Sequence, residues 1–170
     1  MKTNRVVRVL LVEDERDDAY LIKQVLHKYD MHSYSVTHVD SLDGLKQELA
    51  HGPPDVILLD LGLTSSKALA TLELANELDP AAPIVVLTSY DDDEFGEKAI
   101  KLGAQDYLPK GEMSYPLLTR TIKFAMERFE LSLCLRLASY KDRLTKLANH
   151  NGFNEQLTAQ ENRQLRYGGG

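Results

Sequence analysis

Apolar runs that end in acid alternate with stretches of three-to-four apolar spacing from Val6 to Lys110. In Asp55-Val56-Ile57-Leu58-Leu59-Asp60, four apolar residues run without a polar break and stop at a carboxylate. A run apolar on both faces predicts a central parallel strand covered by helices on each side. Val6-Val7-Arg8-Val9-Leu10-Leu11-Val12 predicts a first strand over 5–12, closed by Glu13-Asp14. From Asp14 to Lys28 the residues Ala19, Leu21, Ile22, Val25, Leu26 and Tyr29 follow helical spacing. Residues 33–39 alternate polar with apolar and carry β-branched Val36, Thr37 and Val39, which predicts an edge strand. Ser41 caps a short helix to about Ala50, with Leu42, Leu45 and Leu49 on one face, and Gly52-Pro53-Pro54 ends it.

The strand over 55–60 leads through 61–66 into a helix over about 67–78, ended by Asp79-Pro80. Pro83–Thr88 reads as a fourth strand. Asp91-Asp92-Asp93-Glu94 opens the next helix, where carboxylates favour the positive end of the dipole, and Gly103 ends it. Asp106-Tyr107-Leu108-Pro109 is a short fifth strand, followed at once by Lys110. Five strands alternating with helices predict an α/β fold: a doubly wound, five-stranded parallel sheet in the flavodoxin-like order 2-1-3-4-5.

From Pro116 the pattern stays helical to about Ala148, well beyond a usual last helix. One stripe runs Leu118, Ile122, Ala125, Phe129, Leu133, Leu137, Tyr140, Leu144, Leu147, heptad-like at both ends with stutters between. Asn149-His150-Asn151-Gly152 is the expected stop. The organisation expected is a globular domain over 1–128, a linker helix over 129–148 and a further segment over 149–170. A helix with apolar residues past the domain edge seeks a partner, and the expectation is a homodimer through 116–148.

Composition narrows the picture only a little. Apolar residues make up 43% of the 170, enough for an ordinary core. The net charge of −6 argues against nucleic-acid binding. The single cysteine, Cys134, excludes an internal disulfide and fits a reducing compartment. No apolar run approaches the roughly 18 residues of a membrane span. Met1–Arg5 precedes a strand broken by Arg8, not a signal sequence. A cytoplasmic location away from membranes is expected.

The chemistry gathers where the strands end. Open α/β sheets bind ligands at the carboxyl ends of their strands, so Glu13, Asp14 and Asp60 fall into one pocket. Three carboxylates there are costly unless a cation or a proton shares the site, and the set resembles a Mg²⁺ site. Mg²⁺ beside Asp60 would neutralise an incoming phosphoryl group. Lys110 would reach the same oxygens as a point charge, and Thr88 would offer a hydroxyl. Each residue alone has a plainer explanation. An acid at a strand end is usually solvated, a strand tyrosine such as Tyr107 is usually core, and Thr88 is an ordinary strand residue. The five histidines (27, 32, 38, 51 and 150) have no metal-ligand spacing and read as incidental.

The set Glu13-Asp14, Asp60, Thr88-Ser89, Tyr107 and Lys110, with Gly103-Ala104 before the last strand, resembles a receiver domain of a two-component response regulator over about residues 5–130. The resemblance implies that Asp60 is the phospho-acceptor for a sensor histidine kinase or phosphotransfer protein. It implies that Asp14, Glu13, Asp60 and the Gly62 backbone carbonyl hold Mg²⁺. It further implies that Thr88 and Tyr107 form a switch pair and that Lys110 contacts the phosphate. Three positions depart from the family pattern. Thr64 stands where Pro is usual, Ala68 where Gly is usual, and Gly111 where a cis Pro commonly follows the lysine.

A second resemblance lies in Asp142-Arg143-Leu144-Thr145-Lys146-Leu147-Ala148-Asn149-His150-Asn151-Gly152-Phe153, which is similar to the opening of a GGDEF diguanylate cyclase domain, with His150 in place of Arg. In that family the residue at Asn149 reads guanine. A second guanine-reading acid would fall near Thr158, which is not an acid, and the GGDEF loop itself is absent. The expectation is therefore a signalling domain with no GTP chemistry of its own, coupled to an output that the resemblance identifies as a cyclase. A plain amphipathic helix stopped by Asn-Gly is the alternative for this stretch. Two other functions compete. Asp60-Leu61-Gly62-Leu63-Thr64 partly resembles the D-x-D-x-T signature of haloacid-dehalogenase-like phosphatases, but Gly62 replaces the general acid. A scaffold receiver that dimerises without phosphorylation is the other.

Overall fold

The computed structural model describes residues 5–28, 33–62, 65–89 and 93–167, apart from the side chains of 65–66 and 149–167. Five strands, β1 (Val7–Val12), β2 (Tyr34–Val39), β3 (Val56–Asp60), β4 (Ile84–Thr88) and β5 (Asp106–Pro109), form one sheet in the order β2-β1-β3-β4-β5. Every pairing is parallel. The helices are α1 (Arg16–His27), α2 (Leu42–Leu49), α3 (Ser65–Glu77), α4 (Asp93–Lys101) and α5 (Tyr115–Tyr167). This is the doubly wound sheet, in the flavodoxin-like order, that the pattern predicts.

The strands are apolar on both faces because both faces are covered. Leu10, Val12, Ile57, Leu59, Ile84 and Val86 join Leu45 of α2, Ala68, Leu72 and Ala75 of α3, and Phe95 and Ala99 of α4 in one core. Their strand neighbours Val9, Leu11, Val56, Leu58, Val85 and Leu87 join Ala19, Ile22 and Leu26 of α1 and Leu118, Ile122 and Ala125 of α5 in a second core. Successive strand residues point to opposite faces, so a one-residue slip in register would exchange the two cores. β2 is the half-buried edge. A full burial of each Leu or Ile is worth about 1.5–3 kcal/mol, and β1, β3 and β4 each bury four apolar residues, so these three central strands anchor the sheet.

The chain divides into two compact units, Met1–Phe129 and Glu130–Gly170. Among the described residues, no helix is long and apolar enough to cross a membrane.

Two expectations need correction. α1 begins at Arg16, not Asp14, because Glu13–Glu15 stays non-helical to form the site described below. Ala68, which stands where the family usually has Gly, falls inside the helix expected over about 67–78. It lies in α3, fully buried, where its methyl fills the first core. The helix expected to stop at 149–152 continues to Tyr167. Asn and Gly in a helix interior cost less than or about 1 kcal/mol each, and the following Glu155, Gln156, Leu157, Ala159, Gln160 and Glu161 include strong helix formers. The stripe from Leu118 to Leu147 divides in burial. Leu118, Ile122 and Ala125 are buried in the second core, whereas Leu133, Leu137, Tyr140, Leu144 and Leu147 are 40–68% exposed. Thr64 and the first two residues of the acidic run, Asp91 and Asp92, lie outside the described residues, as does the Asn149 side chain. Gly111 sits in a short 3₁₀ turn, Lys110–Glu112, and no cis peptide bond occurs among the described residues.

Candidate functional site

The site forms where β1, β3 and β5 end side by side or one strand apart. Glu13 directly follows β1 and is buried. Its backbone is tied on both sides: its N–H donates to the Val39 carbonyl (3.0 Å), and its carbonyl accepts from His38 Nε2 (2.7 Å). Its Oε1 accepts from the Glu15 N–H at 3.0 Å. The β2 edge strand therefore fixes where Glu13 stands. Asp14, one residue on, is exposed. Asp60 is the last residue of β3, with a side chain only 4% exposed. Gly62, at φ +73°, takes the left-handed turn that a side chain resists, and its N–H donates to Asp60 Oδ1 in a long 3.4 Å bond.

Ligand oxygens of Glu13, Asp14 and Asp60 lie within 4.8 Å of one another. The neighbouring cleft, of about 170 Å³, is also lined by Asp40, Ser41 and Thr71. All the donors of this cluster are hard carboxylate oxygens, and it is open on the Asp14 side. That fits Mg²⁺, which takes one or two carboxylates and keeps several waters.

Lys110 follows β5 and reaches across to the same point. Its Nζ donates to Asp18 Oδ2 at 2.7 Å and to Glu13 Oε2 at 2.9 Å, and it pairs with Asp60 Oδ2 at 3.1 Å. Burial works against the ammonium, but the hydrogen bonds to Asp18, Glu13 and Asp60 outweigh it and hold Lys110 above its ordinary pKa. The Glu13 pKa is raised as well. Burial, followed by the proton-sharing contact with Asp60, pushes its pKa up to about 7, and Lys110 offsets only part of this. Three carboxylates (Glu13, Asp18 and Asp60) thus contact one ammonium.

Thr88, the last residue of β4, is buried, and Leu87 beside it pairs with Asp60. Tyr107 of β5 is half-buried. Its ring lies against Gly96 of α4, and its hydroxyl donates to Asp93 Oδ1 at 3.4 Å. The structure thus gathers Glu13, Asp14, Asp60, Gly62 and Lys110 at one point. Thr88 stands on the adjoining strand, and Tyr107 is engaged with α4.

Two participants escape sequence reasoning. His38 reads as incidental from its spacing, yet it holds the Glu13 carbonyl. Asp18 is not singled out by the sequence pattern, yet it makes the shortest contact of Lys110. Its place four residues after Asp14 in the sequence is the signal that could have found it.

Comparison with known proteins agrees with this geometry. The family model for the response regulator receiver domain matches residues 9–122. The transcriptional regulatory protein ZraR of Escherichia coli K12 is 26% identical over 124 residues, covering 73% of this chain and 27% of ZraR. The chemotaxis protein CheY of Treponema pallidum is 30% identical over 106 residues, covering 61% of this chain and 72% of CheY. The crystal structure of the signal receiver domain of a modulated diguanylate cyclase from Desulfovibrio desulfuricans G20 superposes with a TM-score of 0.59. It is 26% identical and covers 75% of this chain and 99% of that one. The chain thus spans about a quarter of the length of ZraR.

Proposed function

This chain belongs to the response regulator receiver domain family, and on that premise we propose that it is a phosphorylation switch with Asp60 as the phospho-acceptor. The observation that carries the reading is the position of Asp60, at the end of the central strand, in ion-pair contact with Lys110 and clustered with Glu13 and Asp14.

In the proposed reaction an Asp60 carboxylate oxygen attacks phosphorus, the P–N bond of a phosphohistidine breaks, and an acyl phosphate forms while the imidazole leaves. The phosphohistidine belongs to a sensor histidine kinase or a phosphotransfer protein, in the cytoplasm. Glu13, Asp14, Asp60 and the Gly62 carbonyl hold Mg²⁺, which when bound supplies positive charge to the phosphoryl oxygens. Lys110 meets the negative charge that leaves the carboxylate for the phosphoryl group. Thr88 and Tyr107 read the new group. The Thr88 hydroxyl turns toward the phosphoryl oxygens, and Tyr107 repacks against α4.

Output passes along α5. The exposed stripe Leu133–Leu147 supports a homodimer paired through this helix. The 142–153 resemblance supports a cyclase as the output, and the family match itself covers residues 9–122 alone. The test is intact-mass measurement after incubation with acetyl phosphate and Mg²⁺. A single stable phosphoryl adduct is expected on the native chain and none on Asp60→Asn. No adduct, or an adduct that survives the substitution, overturns the reading.

A further inference from the structure

The contact of Lys110 with Asp18 has no part in the phosphorylation chemistry proposed above. An ammonium has three N–H donors. Two carboxylates accept from it here, Asp18 at 2.7 Å and Glu13 at 2.9 Å, and Asp60 stands in ion-pair contact at 3.1 Å. An incoming phosphoryl oxygen competes with these three carboxylates for the ammonium. The contact to Asp60 is the longest, and Asp60 is the carboxylate whose charge moves outward onto the phosphoryl oxygens. Glu13 and Asp18 stay chemically unchanged and keep their hold.

Asp18 differs from the other two acids. It sits in the first turn of α1, outside the Glu13-Asp14-Asp60 cluster, and its side chain is 42% exposed against 0% for Glu13 and 4% for Asp60. Its removal leaves no buried group without a partner, so its effect on the site is electrostatic and positional.

We infer that Asp18 is a positioning residue that sets the balance between anion and cation in this pocket. It anchors the Lys110 ammonium, draws off part of its charge, and makes anion binding at Asp60 depend on a divalent cation. This deepens, and rests on, the phospho-acceptor reading of Asp60. A carboxylate in that position repels an incoming dianion and attracts a dication. Its neutralisation therefore moves the two affinities in opposite directions.

The test uses the full chain and titration calorimetry, with Mg²⁺ alone and then with beryllofluoride at saturating Mg²⁺ as the phosphoryl mimic. Asp18→Asn is expected to tighten beryllofluoride by about 3- to 10-fold and to weaken Mg²⁺ by about 2-fold. Asp18→Glu, which keeps the charge, is expected to return both to native values. A loosened pocket would weaken both ligands, and that result, or no change in either, overturns the inference while leaving Asp60 as acceptor. If the native chain itself binds no beryllofluoride, the phospho-acceptor reading falls and the inference falls with it.

Discussion

The ring of Tyr107 rests on the backbone of Gly96, in space that the Cβ of any other residue would claim. β5 and α4 are therefore packed together through a site where helix propensity alone would prefer alanine. The Tyr107 hydroxyl extends the contact to Asp93 in the first turn of the same helix.

This predicts a change of sign in a double-mutant cycle. In the native background, Gly96→Ala forces the ring to move and should destabilise by about 1–2 kcal/mol. In a Tyr107→Ala background the obstacle is gone, and the same substitution should stabilise by up to about 1 kcal/mol through helix propensity. Urea denaturation of the four chains measures it. Equal effects in both backgrounds would mean that the ring does not occupy that space in solution.

A second prediction follows from the proton affinity of Glu13. The folded pKa is pushed up to about 7 from an ordinary 4.5, so the folded state binds more protons than the unfolded state between those values. The contribution of Glu13 to stability is thus fully present below about 4.5 and is lost as pH rises through 7, with a slope of at most about 1.4 kcal/mol per pH unit. Mg²⁺ competes with that proton. The rise in Tm caused by Mg²⁺ should therefore be larger at about pH 8 than at about pH 6. Calorimetry at the two pH values, with Glu13→Gln as control, checks it. The variant should lose most of the difference, and an unchanged pH dependence would contradict the role of Glu13.

The third concerns α5. Among its described side chains, the buried ones, Leu118, Thr121, Ile122 and Ala125, all precede Phe129. A chain ending at Phe129 should keep its Tm within a few degrees and still take up phosphate at Asp60. Thermal melts and intact-mass measurement of the shortened chain decide this. A large loss of stability would show that the later residues support the domain.

The fourth concerns the proposed pairing of that helix. With Leu137 and Leu144 at a positions and Tyr140 and Leu147 at d, the flanking positions are Arg136, Lys141 and Arg143. In a parallel pair Arg136 faces Lys141 of the partner copy, a like-charge contact worth a few tenths of a kcal/mol. Raising salt from about 0.05 to about 0.5 M should therefore strengthen self-association, the reverse of a pair held by salt bridges. Sedimentation equilibrium measures it, and weakening by salt would rule out this register.

Much of this molecule is set by local pattern. The continuous apolar run of β3, the alternation in β2 and the acids at the ends of β1 and β3 depend only on residue type and spacing, and so does the strand order they imply. Glu13, Asp14, Asp60 and Lys110 are legible for the same reason, because a parallel sheet delivers its strand ends to one edge, whereas Gly62 enters only through the family resemblance. What escaped the sequence is what depends on reach between elements. Asp18 and Lys110 are 92 residues apart, and His38 finds the Glu13 carbonyl across a strand pair. No periodicity records such contacts. The proton affinity of Glu13 likewise comes from being buried beside Asp60, not from its neighbours in the chain. The stripe on α5 shows the difference on a single helix. Its spacing fixes which residues share a face, but only the extent of the sheet beneath decides that Ile122 and Ala125 are core and that Leu137 is left to solvent.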